Sequence, residues 1–331
     1  MNETSPSPTD RLERSMLYVP ASRPNMIEKA AAAEADAVCI DLEDAVAVDE
    51  KAASRANVVR AFRELDFGRK LKAFRMNGLD TPFAYRDLIE VVEAAGDRID
   101  VVMMPKANLP QDVRFVCMLL TQIELAKGFE RQIGLEVQIE SAKGFVWLRE
   151  IAEASPRLQA LIFGPGDYSA TMQMPVANIG EMDENDEVYP GHRWHAVMHA
   201  VVATARANGL RAIDGPYAGY KDTAGLEKAA RIARVMGFDG KQCIHPSQIP
   251  VVNRIFSPSA EEVAHAKSVV EAYDKAAKSG HGAIGKDGKM IDYANIRMAR
   301  ALLKKVFDGE TVAEAEEPEE MLLVDHARYG S

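Results

Sequence analysis

Short apolar runs of strand length recur along the chain, each followed by a longer stretch whose apolar positions have helical spacing, the pattern of repeated βα units around a parallel sheet. The runs predict strands over residues 16–19, 37–41, 70–75, 101–104, 134–139, 160–163, 211–213 and 241–244. Helices are predicted between them over 26–34, 50–65, 83–95, 110–127, 144–153, 194–208 and 223–236, with Gly209 and Gly237 as C-terminal stops. Eight strands alternating with helices favour an α/β fold of the closed (β/α)8 TIM-barrel type over an open doubly wound sheet. No GxGxxG follows the first strand to favour the latter.

After the eighth strand the pattern changes. Ser257-Pro258-Ser259 can cap a long helix over 260–278, with Glu261 and Glu262 at the positive end of its dipole. A Gly-rich segment, 280–288, and a further helix over 293–306 follow, so a C-terminal helical appendage is expected outside the barrel. The division expected is a disordered N-terminal segment (1–13), a barrel domain (14–256), the helical appendage (257–307) and an acidic tail (308–331).

The chain of 331 residues is 47% hydrophobic and 27% charged, enough apolar material for a sizeable core and unlike a disordered composition. Its net charge of −10 argues against a generic nucleic-acid or anionic-membrane partner. Seven carboxylates and no Lys or Arg lie between Asp308 and Glu320, so the body is nearly neutral and has room for a local basic patch. Cys39, Cys117 and Cys243 each sit in an apolar run, with no CxxC pair. The first eleven residues lack an apolar signal-like core, and no uncharged run of ~18 apolar residues occurs. A cytoplasmic protein is expected.

In such a barrel the active site lies at the C-terminal ends of the strands. Strand two runs into Asp41, Glu43 and Asp44, strand three ends at Arg75, and strand four leads to Lys106. Strand five ends at Glu140, and strands six, seven and eight lead to Asp167, Asp214 and His245. Salt bridges across the mouth would explain one or two of these, whereas seven chemically equipped strand ends point to a binding site. Glu140 and Asp167 end adjacent strands, where two carboxylates repel unless a cation lies between them. Oxygen donors without a nearby thiol point to Mg²⁺; a shared proton or a bridge to Arg75 or Lys106 is the structural alternative. Arg75 offers a planar fork for a carboxylate or enolate oxygen, or a bridge to Glu43 or Asp44, and the two roles are compatible. His192, His195 and His199 share a helix face, which is read as ordinary helix surface rather than a metal site. Residues 280–286 fit GxxxxGK, but Asp287 replaces the Ser/Thr and no strand precedes them, so they are read as a flexible loop.

These segments resemble the HpcH/HpaI aldolase superfamily, which includes citrate lyase β-subunits, and within it the malyl-CoA/citramalyl-CoA lyases. The likeness spans about residues 14–306 and rests on Tyr18-Val19-Pro20-Ala21-Ser22-Arg23-Pro24, Ile40-Asp41-Leu42-Glu43-Asp44-Ala45-Val46, Arg75-Met76-Asn77-Gly78-Leu79-Asp80 and Pro105-Lys106. It continues through Gln138-Ile139-Glu140-Ser141, Gly164-Pro165-Gly166-Asp167, Ile213-Asp214-Gly215-Pro216, Ile244-His245-Pro246 and Met290-Ile291-Asp292.

The resemblance implies Glu140 and Asp167 as ligands of Mg²⁺, with Mn²⁺ as the alternative ion, and Arg75 on the oxygen of a 2-oxo acid or thioester. It implies Tyr18, Arg23, Lys29, Gly166, Ile213, Asp214, Ile244 and His245 as contacts to an acyl-CoA substrate, with Glu43, Asp44 and Lys106 behind the reacting groups. Asp292 matches an acid/base that reaches from the appendage, acting as a lid, into a neighbouring subunit of a homotrimer or homohexamer; a helix N-cap is its structural reading. The implied reaction is Mg²⁺-dependent cleavage of malyl-CoA, β-methylmalyl-CoA or citramalyl-CoA to glyoxylate or pyruvate and an acyl-CoA. A malyl-CoA thioester hydrolase and a citrate-lyase-like β-subunit of a complex are the alternatives. The HpaI-type His after strand two is missing between Asp41 and Glu50, which disfavours a CoA-independent aldolase. Residues 171–191 match the malyl-CoA lyase insertion only in part, most clearly at Asn178-Ile179-Gly180.

Overall fold

The computed structural model describes residues 11–187, 192–277, 284–286 and 289–306. The chain divides into two compact units, the second beginning at Ser257.

The first unit is a closed barrel of eight parallel strands in sequential order. Its first half runs β1 (Ser15–Pro20), α1 (Pro24–Ala32), β2 (Ala37–Asp41), α2 (Lys51–Glu64), β3 (Leu71–Arg75), α3 (Ala84–Arg86), α4 (Val92–Ala95), β4 (Val101–Met104) and α5 (Pro110–Lys127). The second half runs β5 (Gly134–Ile139), α6 (Ala142–Val146), α7 (Leu148–Ala152), β6 (Leu158–Phe163), α8 (Pro165–Thr171), α9 (His195–Ala207), β7 (Arg211–Asp214), α10 (Thr223–Met236), β8 (Gly240–Cys243) and α11 (Ile249–Phe256). The (β/α)8 expectation is met.

Several local expectations are corrected. The helix expected over 83–95 is interrupted by a π-helical turn, Asp87–Val91. That turn sets Asp87 where Arg55 Nε donates to it at 2.8 Å and Asn77 donates through both its backbone N (2.9 Å) and Nδ2 (2.6 Å). Asp87 thereby ties the loop after β3 to α2. The helix expected over 144–153 starts earlier, at Ala142, and breaks at Trp147. β8 stops at Cys243, because Ile244 N–H turns to the Gln248 side chain at 2.8 Å instead of continuing the ladder. The short helices α8 and α11 had no separate apolar period to announce them.

The period of two along each strand separates two cores. Outward residues such as Val38, Ile40, Phe74, Val102, Leu135, Val137, Leu161 and Phe163 pack under the helices. Inward residues Met16, Ala37, Cys39, Leu71, Ala73, Val101, Met103, Ala160, Ile162 and Ile213 fill the barrel. β5 breaks this apolar lining, since its alternate residues Glu136 and Gln138, and Glu140 beyond its end, are polar and buried. At the end of the barrel opposite the strand C-termini, Arg211 meets Glu136 at 2.7 Å and Glu13 at 2.9 Å. Glu13 thus lies in the stretch 1–13 expected to be disordered, and is instead buried. β8 approaches it closely: a Cβ on Gly240 would stand 1.8 Å from the Glu13 carbonyl oxygen.

The second unit contains α12 (Ala260–Ala277), β9 (Ile284–Lys286), β10 (Lys289–Ile291) and α13 (Tyr293–Leu303). Ser259 Oγ accepts from Glu262 N at 3.1 Å and the Glu262 side chain accepts from Ser259 N at 2.7 Å, a reciprocal cap of α12. β9 and β10 pair antiparallel, so the end of residues 280–286, read as a flexible loop, is a strand. Ala266, Val269, Ile296, Ala299 and Leu303 form this unit's own apolar core. Residues 1–10 and the acidic tail, 308–331, lie outside the described residues. Among the described residues no helix is long and apolar enough to cross a membrane.

Burial, reinforced by the neighbouring Glu136 charge and only partly opposed by Arg211, raises the Glu13 carboxyl well above its ordinary value of 4.5. The folded chain therefore keeps a proton that the unfolded chain releases above that value, and stability falls as pH rises from there until the folded group itself ionises. Glu13→Gln is expected to flatten this fall and to raise the melting temperature at pH 8 by on the order of 2–4 °C, read by thermal denaturation at pH 5 and pH 8.

Candidate active site

Strand parity brings three charged side chains to one end of the barrel. Asp41 and Arg75 are inward residues at the ends of β2 and β3 and are register partners. Glu140 follows β5 on its inward parity. Arg75 binds Asp41 through two parallel bonds, Nε to Oδ1 at 2.7 Å and Nη2 to Oδ2 at 2.6 Å. Its third nitrogen, Nη1, lies 2.9 Å from Glu43 Oε2. Beneath it, the Tyr18 ring centroid is 5.3 Å from the guanidinium carbon, and the Tyr18 hydroxyl accepts from Gln242 at 2.6 Å and donates to the Met103 sulfur. The guanidinium plane is therefore fixed from two sides.

The loop after β2 is locked just as firmly. The Glu43 and Ala45 N–H groups donate to the two Asp41 oxygens at 2.8 and 3.2 Å. The buried Lys51 ammonium donates to the carbonyls of Leu42 (2.9 Å) and Glu43 (2.7 Å). Burial alone would raise the Asp41 carboxyl, but the Arg75 charge and these hydrogen bonds hold it below its ordinary range. Arg75 is pushed up well above its ordinary value: burial opposes its charge, and Asp41, Glu43 and Tyr18 outweigh burial.

Lys106 takes a left-handed backbone conformation, φ 49°. That turn aims its N–H at Glu140 Oε1 (2.7 Å) while its ammonium reaches Glu43 (2.5 Å), Asp44 (3.4 Å) and Asp167 (3.7 Å). Glu140 is pushed up to about 8, first by burial and then by the charges of Glu43 and Asp167, with Arg75 and the Lys106 N–H opposing. Its carboxylate occupies the space that a side chain at position 164 would fill: a Cβ on Gly164 would lie 2.5 Å from both Glu140 Cβ and Oε2.

A divalent cation fits this donor set. A fully buried carboxylate whose charge is disfavoured by its carboxylate neighbours is relieved by a cation, and Glu140 and Asp167 offer hard oxygen. Among the described residues no group of three or more His, Cys, Asp or Glu side chains is arranged to hold a metal ion. Two carboxylates are within the small number of protein oxygens with which Mg²⁺ keeps positions for water and substrate.

The other anticipated contacts divide. Arg23, 3.5 Å from Glu50, and Lys29 are exposed on and beside α1. Gly166 lies in α8 directly before Asp167. Ile244 and His245 are exposed, and the His245 ring lies 5.0 Å from Tyr220. Asp214 is buried and bound to the Lys241 ammonium at 2.6 Å, and Ile213 is buried inside the barrel, so neither side chain is presented at the mouth. Asp292 caps α13, its Oδ1 accepting from the N–H groups of Ala294 (2.9 Å) and Asn295 (3.2 Å). The three histidines do not share one helix surface as expected: α9 begins at His195, so His195 and His199 lie exposed on it, whereas His192 precedes the helix and is buried, with the rings 5.9 and 4.6 Å apart in sequence order. Sequence reasoning missed Asp41 as the partner of Arg75, although their shared position as last inward residues of adjacent strands carried that signal.

A family model described as HpcH/HpaI aldolase/citrate lyase matches residues 14–246. The chain is 42% identical over 306 residues to an L-malyl-CoA/β-methylmalyl-CoA lyase of Cereibacter sphaeroides, covering 91% of this chain and 96% of the relative. It is 34% identical to a malyl-CoA/β-methylmalyl-CoA/citramalyl-CoA lyase of Chloroflexus aurantiacus, covering 82% of this chain and 81% of the relative. Among solved structures it resembles CitE of Mycobacterium tuberculosis in complex with magnesium, acetoacetate and coenzyme A, at 31% identity and a TM-score of 0.71, covering 89% of this chain and 98% of that one.

Asp41→Ala would leave the Arg75 guanidinium without its two-bond partner in a buried setting. It is expected to destabilise the barrel by about 3–5 kcal/mol in urea denaturation, with Asp41→Asn losing less.

Proposed function

Because the chain belongs to the HpcH/HpaI aldolase/citrate lyase family, we propose that it is a Mg²⁺-dependent carbon–carbon lyase of the malyl-CoA type. Its reaction is the reversible cleavage of a 3-hydroxyacyl-CoA to a 2-oxo acid and an acyl-CoA. The observation that carries the reading is the fixed Arg75 guanidinium set beside Glu140 and Asp167 in one polar mouth, in a chain 42% identical to malyl-CoA/β-methylmalyl-CoA lyases.

Held by Glu140 and Asp167, Mg²⁺ would supply Lewis acidity toward the hydroxyl and carboxylate oxygens of the substrate. In the cleavage direction the hydroxyl gives up its proton to solvent water, and the carbon–carbon bond breaks to release glyoxylate or pyruvate. The electron pair of that bond becomes the enolate of the acyl-CoA. Arg75 stabilises the enolate oxygen, and because Asp41, Glu43 and Tyr18 already orient the guanidinium, little reorganisation is needed when the charge appears. Asp292 of a neighbouring subunit gives the enolate carbon its proton, and in condensation removes it. Its cap on α13 engages Oδ1, a role compatible with acid/base work. Arg23 and Lys29, both exposed, are cationic groups suited to the phosphates of CoA. The assembly is a homotrimer or homohexamer, and the three buried free thiols fit a cytoplasmic location.

The test is a coupled assay with racemic malyl-CoA, with and without Mg²⁺, following glyoxylate and free CoA separately. Mg²⁺-dependent glyoxylate release is expected, reduced about 10²-fold or more in Asp292→Asn. Arg75→Lys is expected to lower kcat by a similar factor, since a point charge cannot keep both Asp41 bonds. Free CoA without glyoxylate would replace the lyase by a thioester hydrolase.

A further inference from the structure

The insertion between α8 and α9 is held at many points. Met174 and Val176 pack against the outer core of the barrel. Arg193 binds Asp186 Oδ1 through Nε at 3.0 Å, pairs with Asp183, and donates to the Pro175 carbonyl at 2.8 Å. At its centre the Ile179 carbonyl accepts the Ala218 N–H at 2.9 Å, which joins the insertion to the loop after β7. Gly180 permits this contact: its φ is +74°, and a Cβ there would lie 2.2 Å from the Pro216 carbonyl oxygen.

This attachment holds a large apolar side chain beside a charged mouth. Ile179 is 45% exposed. Its side chain covers Gly166, where an added Cβ would stand 3.1 Å from Ile179 Cδ1 and 3.2 Å from Cγ1. Gly166 is the residue directly before Asp167, whose carboxylate lies 3.7 Å from the Lys106 ammonium, so Ile179 sets an apolar side chain against the turn that carries a charged group of the mouth.

We infer that Ile179 is a specificity-determining residue, the wall against which the carbon substituent of the 2-oxo-acid half of the substrate packs. The inference rests on the lyase reading above. On that reading Asp167 would help hold the cation, which would supply its Lewis acidity to oxygens of the oxo-acid half, so an apolar group next to Gly166 would face that half rather than the thioester. There malyl-CoA carries a hydrogen and citramalyl-CoA a methyl, the difference that separates the names of the Cereibacter and Chloroflexus relatives. Isoleucine accommodates the hydrogen and crowds the methyl. β-Methylmalyl-CoA carries its methyl on the acyl half, out of reach of this wall.

The experiment measures kcat/KM for malyl-CoA, β-methylmalyl-CoA and citramalyl-CoA in the wild type and in Ile179→Ala. The citramalyl-to-malyl ratio is expected to rise about tenfold or more, the scale of one added or missing carbon in an apolar pocket, while the β-methylmalyl-to-malyl ratio stays within about twofold. An unchanged citramalyl ratio in a variant that still cleaves malyl-CoA would overturn the inference, as would equal movement of both ratios. Ile179→Val, one carbon smaller and checked by circular dichroism, carries the same test with a smaller shift if the alanine variant does not fold. A wild-type enzyme that releases no oxo acid from any of the three esters overturns the lyase reading itself, and the inference with it.

Discussion

A closed eight-strand barrel has room inside for few side chains, and every inward residue shares that space with those of seven other strands. The rest of this structure follows from how the space is allotted. Ala37, Cys39, Ala73 and Ala160 keep parts of the interior narrow, which leaves volume for Met16, Met103 and Tyr18. Tyr18 in turn is the floor on which Arg75 rests. The guanidinium is held by packing below and by Asp41 beside it, so its direction is set before any substrate arrives.

Charge is distributed by the same geometry. Asp41, Glu43, Asp44, Glu140 and Asp167 converge on one end of the barrel, and Arg75 and Lys106 are cations bound among them. Carboxylates outnumber cations, and the excess falls on Glu140, which is buried and has a backbone N–H as its nearest donor. A mouth with that imbalance attracts a further positive charge. The Lys51 ammonium, bound to two carbonyls, stiffens the loop that carries Glu43 while its charge also acts on Asp41, Glu43 and Asp44.

Much of this was legible in the sequence, because strand length and alternation are local. The eight strands, the long helices α5 and α10, and the charged strand ends follow from the apolar period and from glycines at helix ends. What was not legible depends on contacts between distant segments. The break in the helix after β3 arises because Asp87 must reach both Arg55 and Asn77, and no nearest-neighbour pattern encodes that meeting. Asp214 looked like the other strand-end acids, yet Lys241 of the next strand claims it, a pairing fixed by register. Ile179 sits in a polar insertion with no periodicity, and only the fold brings it against Gly166. Glu13 was grouped with a polar terminus because its partner Arg211 lies at the far end of the barrel domain.

The string of polar residues along β5 also bears on how the barrel assembles. A strand displaced by one residue would turn Glu136, Gln138 and Glu140 outward beneath the helices and drive Leu135, Val137 and Ile139 into the interior. A displacement by two would keep the faces but carry Glu136 away from Arg211, stranding a buried guanidinium and a buried carboxylate apart. Aliphatic strands can slide with modest loss; this one cannot. β5 therefore works as a key for the closing sheet, penalising near-native misalignments during folding that hydrophobic burial alone would tolerate.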